Sequence, residues 1–143
     1  MTTLTVGASG SYQTIGAAVE AAAAGDVIEV YSGIYREGVK LEKRVTLRAA
    51  AGEEPVIDGG WNGQTVEDTF GGVVGCGAEG IVVEGLSIRN CPGRGIGVSA
   101  SNVTVRGNRI DNCYKGGLGA NAPAGTYLSG LLIENNVLTR LGQ

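Results

Sequence analysis

The chain has 143 residues, one domain's worth and enough for a continuous core. Hydrophobic residues make up 43 % and charged residues only 17 %, which excludes a disordered chain. The net charge of −3 argues against a nucleic-acid or anionic-membrane surface, and no apolar run approaches the ~18 residues of a membrane helix. The opening "MTTLTVGASG" lacks a basic stretch followed by an apolar one, so the expectation is a cytoplasmic chain or one whose leader lies outside this sequence. Localisation stays open. Glycine, with 26 residues, far exceeds its usual share of about 7 %, and in a β-favouring chain that means many tight turns.

In chain order, the first element is "TIGAAVEAAAAGD" (Thr14–Asp26). Ile15, Ala18, Val19 and Ala22 fall at i, i+3, i+4 and i+7, and Gly25 is a stop signal, so a short amphipathic helix is predicted. Such a helix suits a cap over an open sheet edge. "VIEVYSGIY" (27–35), "VKLEKRVTLRA" (39–49) and "PVIDGG" (55–60) then read as strands and turns.

From here the chain repeats itself. "IVVEGLSIRNC" (Ile81–Cys91) and "VTVRGNRIDNC" (Val103–Cys113) align position for position at a spacing of 22, and "LLIENNVLTRL" (Leu131–Leu141) follows after 28 more. The six extra residues fit a loop around "NAPAGTYL" (Asn121–Leu128), where Pro123 and Gly125 break the pattern. A second column, "VGC", "IGV" and "LGA" (74–76, 96–98, 118–120), keeps the 22-residue spacing. A unit this short cannot bury its apolar face alone; stacked copies share a core.

Alternation within the repeat sends Val103, Val105 and Ile110 inward and Thr104, Arg106, Arg109 and Asp111 outward. Asn108 and Asn136 share the inward phase, and with Asn90 and Asn112 they predict asparagine ladders. Gly85, Gly107 and Asn135 suit a left-handed bend. The expected fold class is therefore all-β: a right-handed parallel β-helix of about five coils of ~22 residues, with a short N-terminal capping helix. It forms one domain over 1–143, with 1–26 as strand and cap and 27–143 as stacked coils.

These stretches resemble the N-terminal, capped portion of right-handed parallel β-helix proteins of the pectin-lyase-like superfamily. The resemblance rests on "YQTIGAAVEAAAAGDVIEVYSGIYREGVKLEKRVTLRA…PVIDGG" and on the two "NC"-ending repeats, and covers nearly the whole chain. It implies the fold and a polysaccharide-handling lineage whose members include lyases, epimerases, esterases and hydrolases. It does not by itself choose an activity.

Several chemistries fail for want of residues. There is no histidine and no Asp-Asp pair, which disfavours polygalacturonase-like hydrolysis and the epimerase pattern. Methylesterase chemistry needs two neighbouring carboxylates and an arginine on stacked strands, and Asp111 is the one aspartate at an outward strand position in the repeats. A uronate lyase remains, since β-elimination needs a base and a cation that neutralises the carboxylate. Arg89, Arg109 and Lys115, with Asp111 and Arg94 nearby, are the candidates. The structural alternative is that outward columns such as Glu84–Arg106–Glu134, and Arg89 beside Asp111, are ion pairs that hold neighbouring strands.

Trp61, the one tryptophan, lies among glycines; it is either a sugar-stacking platform or an indole folded onto the exterior. The three cysteines lack metal-site spacing and read as small buried hydrophobes. No cofactor is expected, although Asp58, Glu67 and Asp68 could supply oxygen ligands to Ca²⁺. The leading expectation is a scaffold without a complete active site, with polysaccharide as ligand and either truncation or self-association at its open C-terminal coil, Leu131–Leu141; the alternatives are a uronate lyase or a carbohydrate-binding module centred on Trp61.

Overall fold

A computed structural model describes residues 1–62 and 72–141. The elements begin with β1 (Thr3–Val6), α1 (Ile15–Ala21), β2 (Val27–Val30), β3 (Gly33–Tyr35), β4 (Val39–Leu41), β5 (Thr46–Ala49) and β6 (Pro55–Asp58). Next come β7 (Val74–Cys76), β8 (Val82–Glu84), β9 (Ser87–Cys91), β10 (Arg94–Val98), β11 (Thr104–Arg106), β12 (Arg109–Cys113) and β13 (Gly116–Ala120). The last two are β14 (Leu132–Glu134) and β15 (Val137–Leu141).

The strands form three parallel sheets. The first runs β1-β2-β5-β8-β11-β14, the second β15-β12-β9-β6-β3 and the third β13-β10-β7-β4. From β8 onward the chain visits the first, second and third sheets in turn, so each sequence repeat adds one strand to each. The arrangement is all-β with one short helix, compatible with a parallel β-helix. The register reproduces the repeat: Val83 pairs with Val105 and Val105 with Ile133, while Ile88 pairs with Ile110 and Ile110 with Leu138.

Alternation explains the core. Val83, Val105, Ile88 and Ile110 are fully buried, and each such side chain contributes about 1.5–3 kcal/mol when removed from water. Ile133 and Leu138 hold the same places in the last layer but are 46 % and 40 % exposed, because no further strand covers them among the described residues.

Polar groups follow the same columns. Asn108, 1 % exposed, accepts from the Leu86 N–H through Oδ1 at 3.0 Å and donates through Nδ2 to the Val83 carbonyl at 3.1 Å and to Asn136 Oδ1 at 3.1 Å. Asn112 Nδ2 donates to Asn90 Oδ1 at 2.9 Å. Gly85, Gly107 and Asn135 take φ of 74°, 66° and 56° at the bend between the first and second sheets.

The helix is tied at both ends. Thr14 Oγ1 accepts from the Ala17 N–H at 3.1 Å, and the Glu37 carboxylate accepts from the N–H groups of Ile15 and Gly16 at 2.9 and 2.8 Å. Lys43 Nζ donates to the carbonyls of Val19 and Ala22 at the other end. Ile15 and Ala18 are buried against the first layer. The sequence placed the stop at Gly25; the helix ends at Ala21, where Ala22 turns extended and its N–H closes on Ala18 and Val19.

Candidate functional site

The third sheet carries an unusual outward column. Its register aligns Lys40 with Gly75, Gly75 with Gly97 and Gly97 with Gly119. The flanking Val74, Cys76, Ile96 and Val98 are buried at 0–3 % exposure and point inward, so the glycines face out. Three successive strands thus carry glycine where side chains would stand; Gly75 and Gly119 are half-buried and Gly97 is buried. The result is a groove of about 310 Å³ running across the strands, rimmed by Lys40, Glu42, Arg94, Ser99 and Asn121. That volume is at the small end of ordinary ligand sites.

Arg94 depends on the glycine beside it. A Cβ on Gly119 would sit 2.7 Å from Arg94 Nε and 2.8 Å from its Cδ, closer than atoms approach. Glycine therefore lets the arginine stem lie flat over β13. Neither Arg94 nor Lys40 forms an ion pair among the described residues, whereas Arg48, Arg89, Arg106 and Arg140 all do. The rim carries Lys40 and Arg94 against Glu42, a local positive excess on a chain of net charge −3.

The residues singled out from the sequence lie elsewhere. Arg89 and Asp111 are register partners on the second sheet, as expected, yet Arg89 Nε donates to Asp58 Oδ2 at 3.1 Å. Burial pushes the Asp58 carboxyl up, but the Gly60 N–H, Arg89 and Asn90 together outweigh it and hold it below its usual value. Asp111 accepts from both Arg140 and the Thr139 hydroxyl, and the Arg140 guanidinium is the main reason its pKa falls to about 2. Arg109 heads β12 between Ser87 and Val137 and borders a separate cleft with Glu53 and Glu54.

Lys115 and Trp61 come together at the passage from the second to the third sheet. Lys115 Nζ lies 5.6 Å from the Tyr114 ring centroid, and Tyr114 lies 5.5 Å from the Trp61 ring at a 43° tilt. Trp61 is 8 % exposed, so its indole is covered rather than offered to solvent. Arg89 and Asp111 share a column, Arg109 lies two positions before Asp111 on the same strand, and Lys115 follows the end of β12.

Cys91 and Cys113 are register partners, both fully buried; hydrogen bonding to Cys113 and then burial push the Cys91 thiol up. Burial alone pushes Cys76 up to about 12. Glu67 and Asp68, considered with Asp58 for Ca²⁺, lie outside the described residues. Among the described residues no group of three or more acidic, cysteine or histidine side chains is arranged to hold a metal. No family model, curated protein or solved structure matches this chain.

Proposed function

We propose that the chain is a right-handed parallel β-helix of the pectin-lyase-like kind, about five coils long, and that it acts as a scaffold holding an acidic polysaccharide in the glycine-floored groove. The observation that carries this reading is the Gly75–Gly97–Gly119 column between Lys40 and Arg94. A row of glycines leaves room for a sugar ring where side chains would otherwise stand, on strands spaced about 4.8 Å apart. The unpaired cations select a ligand that carries carboxylates.

The geometry divides the charges of the rim between two sugars. β-Elimination needs a base and a carboxylate-neutralising cation on one sugar ring. Lys40 and Glu42 stand at one end of the column, and Arg94 lies over Gly119 at the other, three strand spacings or roughly 14 Å away.

The test is titration with oligogalacturonate, oligoalginate and chondroitin oligosaccharides beside neutral dextran oligomers. Acidic oligomers bind, more weakly as salt rises, and the pair Lys40→Ala with Arg94→Ala weakens binding at least about tenfold. Equal binding of neutral oligomers, or no binding, sinks the proposal. Ultraviolet-absorbing unsaturated product would favour a uronate lyase instead.

A further inference from the structure

One strand inside the groove carries no outward side chain at all. Along β7 and just past it, Val74 and Cys76 point inward at 0 and 1 % exposure, so Gly75 and Gly77 hold both outward places. The ladder runs on beyond the strand ends. The Gly77 N–H donates to the Leu41 carbonyl at 2.8 Å, the Ser99 N–H to the Cys76 carbonyl at 3.0 Å and the Asn121 N–H to the Val98 carbonyl at 2.8 Å. Glu42, Gly77, Ser99 and Asn121 therefore form a second column beside Lys40, Gly75, Gly97 and Gly119. Two residues along a strand, about 6.6 Å, separate the columns.

Neither backbone nor packing requires glycine at position 77. Its φ is not positive, and a Cβ there would meet the Leu41 carbonyl oxygen at 3.5 Å, Ser99 Oγ at 3.9 Å and Glu42 Cγ at 4.0 Å, all ordinary contacts. What the missing methyl leaves is a notch, walled by the Glu42 side chain on one side and the Ser99 hydroxyl on the other. Neither side chain has a hydrogen-bond or ion-pair partner among the described residues.

On the footing that the groove holds an acidic polysaccharide, we infer that this notch selects uronate rings whose O2 and O3 hydroxyls are free. A hexuronate carries its carboxylate on C5 and those two hydroxyls on the opposite edge of the ring. With the ring lying along β7, the carboxylate faces the Lys40 column and the hydroxyls enter the notch at Gly77. The Glu42 carboxylate accepts and does not donate, so it takes a hydroxyl, and Ser99 can do either. An ester or a sulfate on O2 or O3 brings only acceptors against that carboxylate and leaves it desolvated without a donor. Lys40 and Glu42 thus sort the two edges of one ring, the cation attracting the carboxylate and the carboxylate rejecting a second anion.

The test compares oligogalacturonate with the same oligomer acetylated at O2 and O3, whose unchanged charge keeps the long-range attraction to the rim the same. The free oligomer binds about fivefold tighter or more, and Glu42→Gln, whose amide can donate to an ester carbonyl, narrows the ratio. Gly77→Ala fills the notch at an unstrained position, so the melting temperature holds or rises while affinity for the free oligomer falls several-fold. Equal binding of the two oligomers, or unchanged affinity in Gly77→Ala, overturns the inference and leaves the groove's role standing. A ratio that Glu42→Gln does not alter assigns the selection to bulk alone and overturns it as well. No binding of either oligomer overturns both the notch and the groove.

Discussion

Asn108 Nδ2 donates to Asn136 Oδ1 at 3.1 Å across the boundary between two layers, and Asn108 itself is 1 % exposed. One side chain thereby joins three successive layers, since it also bonds Leu86 and Val83 below. Asn108→Leu keeps the volume close but strands the Leu86 N–H and part of the Asn136 amide. It should cost about 2–3 kcal/mol, read as a lower midpoint in urea unfolding. A change under about 0.5 kcal/mol would mean that the ladder is incidental.

The bend at Gly107 can be tested cleanly. A Cβ there meets nothing nearer than 3.9 Å, so only the φ of 66° opposes a side chain. Gly107→Ala should cost about 1–2 kcal/mol. Gly107→Asn should cost much less, because Asn135 already holds φ 56° at the equivalent place. Thermal melts of the two variants decide it; equal losses would contradict the account.

Acid should loosen the last layer. Asp111 has a folded pKa of about 2 against an ordinary 3.8, held down first by Arg140. A depressed carboxylate contributes stability that is present above pH ~4 and lost as pH falls toward 2. Arg140 is 62 % exposed, so solvent screens the pair and the contribution is small. Asp111→Asn should flatten that part of the stability–pH curve; an unchanged slope would show that other carboxylates, Asp58 among them, carry it.

Gly119→Ala separates binding from folding. The added methyl collides with the flexible Arg94 side chain, which can swing aside at little cost in stability. The melting temperature should hardly move, while affinity for an acidic oligosaccharide falls several-fold. Unchanged affinity would remove Arg94 from the groove's function.

Much of this architecture was legible in the residues, because a layered parallel fold turns sequence spacing directly into spatial neighbours. The Asn108–Asn136 and Asn90–Asn112 contacts, the bends at Gly85 and Gly107, and the Arg106 bridges to Glu84 and Glu134 all follow from the 22- and 28-residue shifts. Arg89 chose Asp58, 31 residues away, where the interval between layers is irregular and no repeat gives the register. The groove was harder to see. Gly75, Gly97 and Gly119 recur visibly, but glycine reads as a turn signal, and only strand pairing shows that these three form an outward floor. Glu37 at the start of α1 and Arg94 over Gly119 are contacts between side chains and distant backbone, which spacing does not encode.

The most direct test of the central claim is an amide chemical-shift titration of the labelled protein with a homogeneous oligogalacturonate. The account predicts saturable shifts concentrated at Gly75, Gly97, Gly119, Ser99 and Asn121, and their disappearance in the paired Lys40→Ala and Arg94→Ala variant. Shifts confined to the second sheet around Arg89, Arg109 and Asp111, or none at all across acidic oligosaccharides, would contradict it.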